Sequence, residues 1–346
     1  MRSFTILLAV AILLAGDAAH GQPFRAVPLE PVSAILDGFR THDVVALGEG
    51  RHNNEPGYAF RLSLIRDPRF ATVVNDIVVE SGSSQYQDAM DRYIHGENVP
   101  NVMLRHAWQD TTQPDTAWDV PMYEEFFAAV RAVNATLAPS RQLRVLLGEP
   151  PFDWDHATRE SWLRIGLERD RFAADLIQRE VLSKHRRALV IYGDAHFVRH
   201  PPVGSSMVTR LESLAPGRVF NVWTHTSGTE LQTLEPAART WPIPSLVLTK
   251  DTTLGAASFN VFRPGSSVDV PPIEKQFDAV LYVGPVAAVV IRRGEISPSL
   301  CADSEYMKMR VSRMTLTDAP PDAPMPPGFV RPVDRLKQYC AGVTNK

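Results

Sequence analysis

DVVALGEGRHNNEPGYAFRLSLIR, residues 43–66, holds the pattern on which the fold turns. Its first seven residues form a short apolar run closing on Gly48 and Glu49, the signature of a strand buried on both faces. Gly48 and Gly50 permit a tight turn, and Pro56 suits the first turn of a helix that would carry Arg61 near the strand's end. The same alternation recurs along the chain. Further strands are expected at 72–80, 143–149, 187–194, 218–225 and 277–284, and helices at 31–41, 56–66, 84–94, 121–137 and 160–183. The pattern predicts an α/β fold: a mostly parallel central sheet flanked by helices, with long loops over its carboxyl edge. Residues 236–272 are rich in Pro, Ser and Thr without periodicity and read as such loops.

Composition sets the outer limits. The chain has 346 residues, 44% hydrophobic and 22% charged, with a formal net charge of -3, so no global positive field draws nucleic acid or an anionic membrane. The opening MRSFTILLAVAILLAGDAAHGQ has Arg2 before an apolar run too short to span a bilayer, then small residues: a signal peptide over 1–21. A periplasmic or secreted protein with no stable membrane insertion after cleavage is the expectation. Residues 22–300 would form a single domain. The Pro-rich remainder, 301–346, would be an extension whose segment 317–332 runs extended. Cys301 and Cys340 are the chain's only cysteines, and in an oxidising compartment such a pair is expected to join.

In parallel α/β sheets ligands sit outside the carboxyl ends of the strands, so the residues just past each strand are informative. Here they are Glu49 with His52, then Glu80, Glu149, Asp194 with His196, and His225. Any one acid in such a place is more often a helix cap, but several at one edge point to a site for a small-molecule substrate. Arg61 could orient a carboxylate or bind a developing oxyanion there. No G-x-S-x-G, H-E-x-x-H, phosphate loop or dinucleotide fingerprint is present. Glu49, His52, Glu80 and His196 are all competent ligands for a divalent metal, and the sequence leaves metal-assisted and metal-free acid–base chemistry both open.

The motifs VVALGEGRH (44–52), Arg61 nine residues after His52, VVNDIVVE (73–80) and GDAHF (193–197) together resemble the erythromycin esterase superfamily, with its ChaN-like and Tiki/TraB-like relatives. The resemblance runs from about Leu36 to Val283. It implies an active-site cleft formed by Glu49, His52, Arg61, Glu80 and His196, with His52 the base that activates water against an ester, lactone or amide bond. Glu149, Asp194 and His225 share the edge without matching a family motif, which leaves them as substrate-contact candidates. The alternative implied by ChaN-like relatives is a haem-, iron- or metal-binding protein without hydrolase activity. One departure stands out: Tyr192 or Gly193 takes the place of a family histidine, and Asp194 that of an asparagine.

Overall fold

A computed structural model of the chain describes residues 23–260, 270–319 and 329–344, so the signal peptide expected at 1–21 lies outside the described residues. Among the described residues seven strands form one sheet: β1 Val44–Gly48, β2 Asp76–Ser83, β3 Arg144–Glu149, β4 Ala188–Tyr192, β5 Val219–His225, β6 Ser245–Leu248 and β7 Ala279–Tyr282, in the order β3-β2-β4-β1-β5-β7-β6. Every pairing is parallel except β6 on β7. All five residues of β1 are buried, as a central strand covered on both faces requires.

The alternation of side chains divides the interior in two. Val45 and Leu47 point into one core and Val44 and Ala46 into the other. The first core is covered by α1 Pro31–Gly38, α2 Glu55–Arg66, α3 Gln87–Ile94, α4 Asn101–Gln109 and α5 Pro121–Asn134. The second is covered by α6 Arg159–Glu180 and α7 Met207–Leu214. The neighbouring strands β4 and β1 therefore send their following helices to opposite faces, and a crevice opens between their carboxyl ends.

Two expectations are corrected in detail. Residues 236–272 are not all loop, because SLVL at 245–248 pairs antiparallel with β7. That run is only four residues long and sits beside prolines, which hid it. The strand expected at 72–80 begins later, since Phe70–Val73 is a helical turn and β2 runs on to Ser83.

The extension after residue 300 is largely helical, with α8 Ser304–Thr317 and α9 Pro332–Thr344; of the segment expected to run extended, 320–328 lies outside the described residues. Its buried stripe on α8 is Tyr306, Arg310 and Met314, and the arginine in the middle conceals the helical period from a hydrophobicity reading. Cys301 and Cys340 are joined in a disulfide, as the pairing of the two cysteines predicted. The small core beneath it comprises Ile296, Leu300, Tyr306, Met314, Leu336 and Cys340. No helix among the described residues is long and apolar enough to cross a membrane.

So small a core depends on its cross-link. With the cysteines 39 positions apart in the sequence, the bond constrains the unfolded chain by about 4 kcal/mol in the entropic account. Replacing both cysteines by serine is expected to remove amide-exchange protection from α8 and α9 while β1 keeps its own. Loss of protection throughout the sheet would contradict this separation.

Candidate active site

Three adjacent strand ends build the site. β1 ends at Gly48, and the chain turns through Gly50, whose φ of 70° places it in the left-handed region. That turn returns His52 over the crevice, and Asn54 caps α2 by accepting from the Gly57 N–H. His52 Nδ1 lies 2.7 Å from Glu49 Oε2. Glu49 is itself held: its Oε1 is 3.3 Å from Arg61 Nη2, and Tyr123 on α5 donates to its Oε2 at 3.4 Å. The buried Trp118 and the His52 ring meet in a T-shaped arrangement, with centroids 4.7 Å apart.

Glu80, near the end of β2, is the common neighbour. Its Oε2 accepts from the Gly193 N–H at 2.8 Å and lies 3.8 Å from His52 Nε2. Its Oε1 accepts from Arg169 Nη2 at 2.6 Å and is 3.3 Å from His196 Nε2. Gly193 must be small. A Cβ there would stand 3.0 Å from His52 Cε1 and 3.2 Å from Nε2, so a side chain at this position would push the imidazole aside.

Helix α6 supplies what the strand ends do not. Arg169 donates its Nε to Glu149 Oε1 at 2.7 Å and so ties Glu149 to Glu80. Asp170, the next residue, contacts His196 Nδ1. Thr112 closes the second oxygen of Glu149.

The charges follow from this wiring. Burial pushes the Glu80 carboxyl up, but the imidazoles of His196 and His52 and the Arg169 guanidinium overcome it, and the group is held well below the usual carboxylate range. Glu49 is likewise lowered on balance: burial opposes its ionisation, while Arg61 and the His52 hydrogen bond favour it. Burial works against charging His196, yet Glu80 and Asp170 push its pKa up to about 10. His52 is raised as well, because Glu80 and Glu49 outweigh its desolvation. Glu149 moves the other way from Glu80: burial raises it more than Arg169 draws it down.

Of the residues expected at this edge, Glu49, His52, Arg61, Glu80, His196 and Glu149 are brought into one connected set. Asp194 lies beneath it, buried, and accepts from the Gly50 N–H at 3.2 Å. His225 is not part of the set: it is fully buried, its Nε2 is 2.8 Å from the Thr229 carbonyl, and its ring packs against Trp223. Burial lowers its pKa, which fits a neutral histidine closing a turn. For a divalent metal, which the sequence left open, the fit is poor. Among the described residues no group of three or more His, Cys, Asp or Glu side chains converges to hold one, and the carboxylates are already engaged by Arg61 and Arg169.

Arg169, Asp170, Trp118 and Tyr123 were not anticipated. The first two had a signal: they stand one turn before Ala173 and Ala174, the start of the buried stripe on α6, so a charged pair continues that stripe toward the sheet edge.

No family model matches the sequence, and no curated protein does. Solved structures do. One titled as a succinoglycan biosynthesis protein superposes with a TM-score of 0.54 at 9% identity, covering 75% of this chain and 95% of its own. A mutant of the erythromycin esterase EreC in its open conformation gives 0.50 at 12% identity, covering 72% of this chain and 91% of its own. The chain thus shares its α/β fold with these two structures, and about a quarter of its length lies outside that shared fold.

Asp194 provides a test of the site's electrostatics. Burial raises its pKa to about 7 against the Gly50 and Thr224 amides, which favour its charged form. The unfolded chain gives up this proton near pH 4, so Asp194 costs stability as pH rises from about 4 to about 7. Asp194→Asn should therefore unfold at higher urea than the parent at pH 8 and at an equal concentration near pH 4. A difference independent of pH would contradict the assignment.

Proposed function

We propose that the chain is an exported hydrolase that uses His52 to activate water against an ester-type carbonyl of a small molecule. The observation that carries this reading is the state of the two His52 nitrogens. Nδ1 is fixed by Glu49, so a neutral ring carries its proton there, and Nε2, 3.8 Å from Glu80 Oε2, has no hydrogen-bond partner among the described residues. His52 keeps 28% of its side-chain surface exposed, while the carboxylates on either side are buried. This is the arrangement of a base whose tautomer is set from behind.

Each neighbour then has a part. Arg61 and Tyr123 keep Glu49 ionised and aimed at Nδ1. Attack of water transfers its proton to His52 Nε2 and forms a tetrahedral oxyanion. His196, held as the imidazolium beside Glu80, is placed to protonate the departing alkoxide. The fold shared with an erythromycin esterase agrees with acyl-ester chemistry, and the signal peptide read from the first 21 residues supports an extracytoplasmic site of action. A haem- or iron-binding role is less well supported, because both imidazoles have Nδ1 engaged by a carboxylate and Nε2 directed at Glu80.

The test is hydrolysis of 4-nitrophenyl acetate by the mature protein. His52→Ala should lower kcat/KM by about 10²–10⁴-fold, the usual range for a lost general base. Because His52 is raised above the ordinary histidine value and acts deprotonated, the parent's kcat/KM should climb with pH through a midpoint above about 6.5. Equal turnover by His52→Ala, or a rate that falls over that range, would sink the proposal.

A further inference from the structure

We propose that Asp170 is a positioning residue that does for His196 what Glu49 does for His52, making His196 the acid of the reaction. The inference rests on the ester-hydrolysis reading and adds to it a residue to which the sequence assigns no role.

The site is a row of alternating acids and imidazoles. Glu49 holds His52 through Nδ1, and the Nε2 of that ring looks toward Glu80 Oε2 at 3.8 Å. On the other side of Glu80, His196 Nε2 lies 3.3 Å from Oε1, and its Nδ1 is taken by Asp170 Oδ1. Each ring is thus gripped at Nδ1 by an outer carboxylate, and the two Nε2 atoms converge on one central carboxylate. The two dyads come from unrelated parts of the chain: the turn after β1, and the pairing of α6 with the turn after β4.

Asp170 has no other evident duty. It lies in the middle of the 22-residue helix α6, far from either terminus, so it caps nothing. The groups that face His196 are Glu80 from β2, Arg169 and Asp170 from α6, and Tyr192 from β4, with His52 beyond Glu80. Arg169 is spent on Glu80 and Glu149, and Tyr192 meets the His196 ring in a T-shaped arrangement, with centroids 5.4 Å apart. Without Asp170 nothing among the described residues holds Nδ1, and the ring is free to turn over and take its Nε2 proton away from the crevice.

The chemistry balances with one water. As the water oxygen bonds to the carbonyl carbon, its proton goes to His52 Nε2. When the intermediate's bond to the alkoxide breaks, the His196 Nε2 proton goes to the alkoxide oxygen and an alcohol leaves. The acid product departs, and both rings return to their starting states by exchange with solvent, to which both retain some exposure.

A leaving group that needs no proton separates positioning from general damage. Nitrophenolate departs unaided, whereas ethoxide must be protonated. Asp170→Ala should therefore lower kcat for ethyl acetate on the order of 10²-fold, leave kcat for 4-nitrophenyl acetate within about threefold, and leave both KM values unchanged. Asp170→Glu should recover most of the loss. Equal losses on the two esters, or no loss on ethyl acetate, would overturn the proposal. Should the parent cleave neither ester, the hydrolase reading falls by itself, and nitrogen-15 NMR of His196 decides the positioning claim. A slowly exchanging Nδ1 proton in the parent that is lost in Asp170→Ala supports it. The same signal in both proteins, or in neither, refutes it.

Discussion

The carboxylate of Glu80 is the constraint to which the rest of the site answers. It is 2% exposed toward the carboxyl end of β2, where an uncompensated charge would cost several kcal/mol. The Gly193 N–H, Arg169 and His196 compensate it, and His52 stands close enough to feel its field. Those partners fix much of the architecture. β4 must lie beside β2 for a backbone amide to reach Oε2, and residue 193 must lack a side chain so that His52 can approach. Helix α6 must run past the carboxyl edge to deliver Arg169.

A second buried charge pair sits behind the site and ties it to the chain's last segment. Asp119, next to the Trp118 that abuts His52, accepts from Arg310 Nε at 2.8 Å and from Tyr306 Oη at 2.5 Å. Arg310 and Arg313 of α8 also donate to the Gln109 carbonyl at the end of α4. The C-terminal helices thus serve as a wall for the loop that carries Trp118. Their disulfide stabilises a piece with too little core to stand alone.

The sheet was legible because six of its strands are mostly apolar runs, five closing on glycine or an acid and β5 on His225, and period and punctuation agreed. β6 was not, since four residues beside prolines carry no period. The site was legible to the extent that strand ends nominate it: Glu49, Glu80, Glu149 and His196 follow from register, and Arg61 and the emphasis on His52 from family resemblance. His225 fits the same rule but lies apart from the connected set, because the chain after β5 folds back and closes on its ring. Arg169 and Asp170 arrive from the middle of a helix, where a charged residue reads as solvated surface unless its helical phase is followed to the buried alanines at 173 and 174. Only the fold sets Trp118 and Tyr123 against His52 and Glu49.

The claim that Glu80 and Arg169 act as one buried unit is tested most directly by a double-mutant cycle on urea unfolding with Glu80→Gln and Arg169→Met. Each single change leaves a buried charge short of its partner and is expected to cost about 3 kcal/mol or more. The double variant removes both charges together. It should therefore fall short of the sum of the single losses by at least about 1 kcal/mol. Losses that simply add would show that the two side chains do not depend on each other, and would contradict the account.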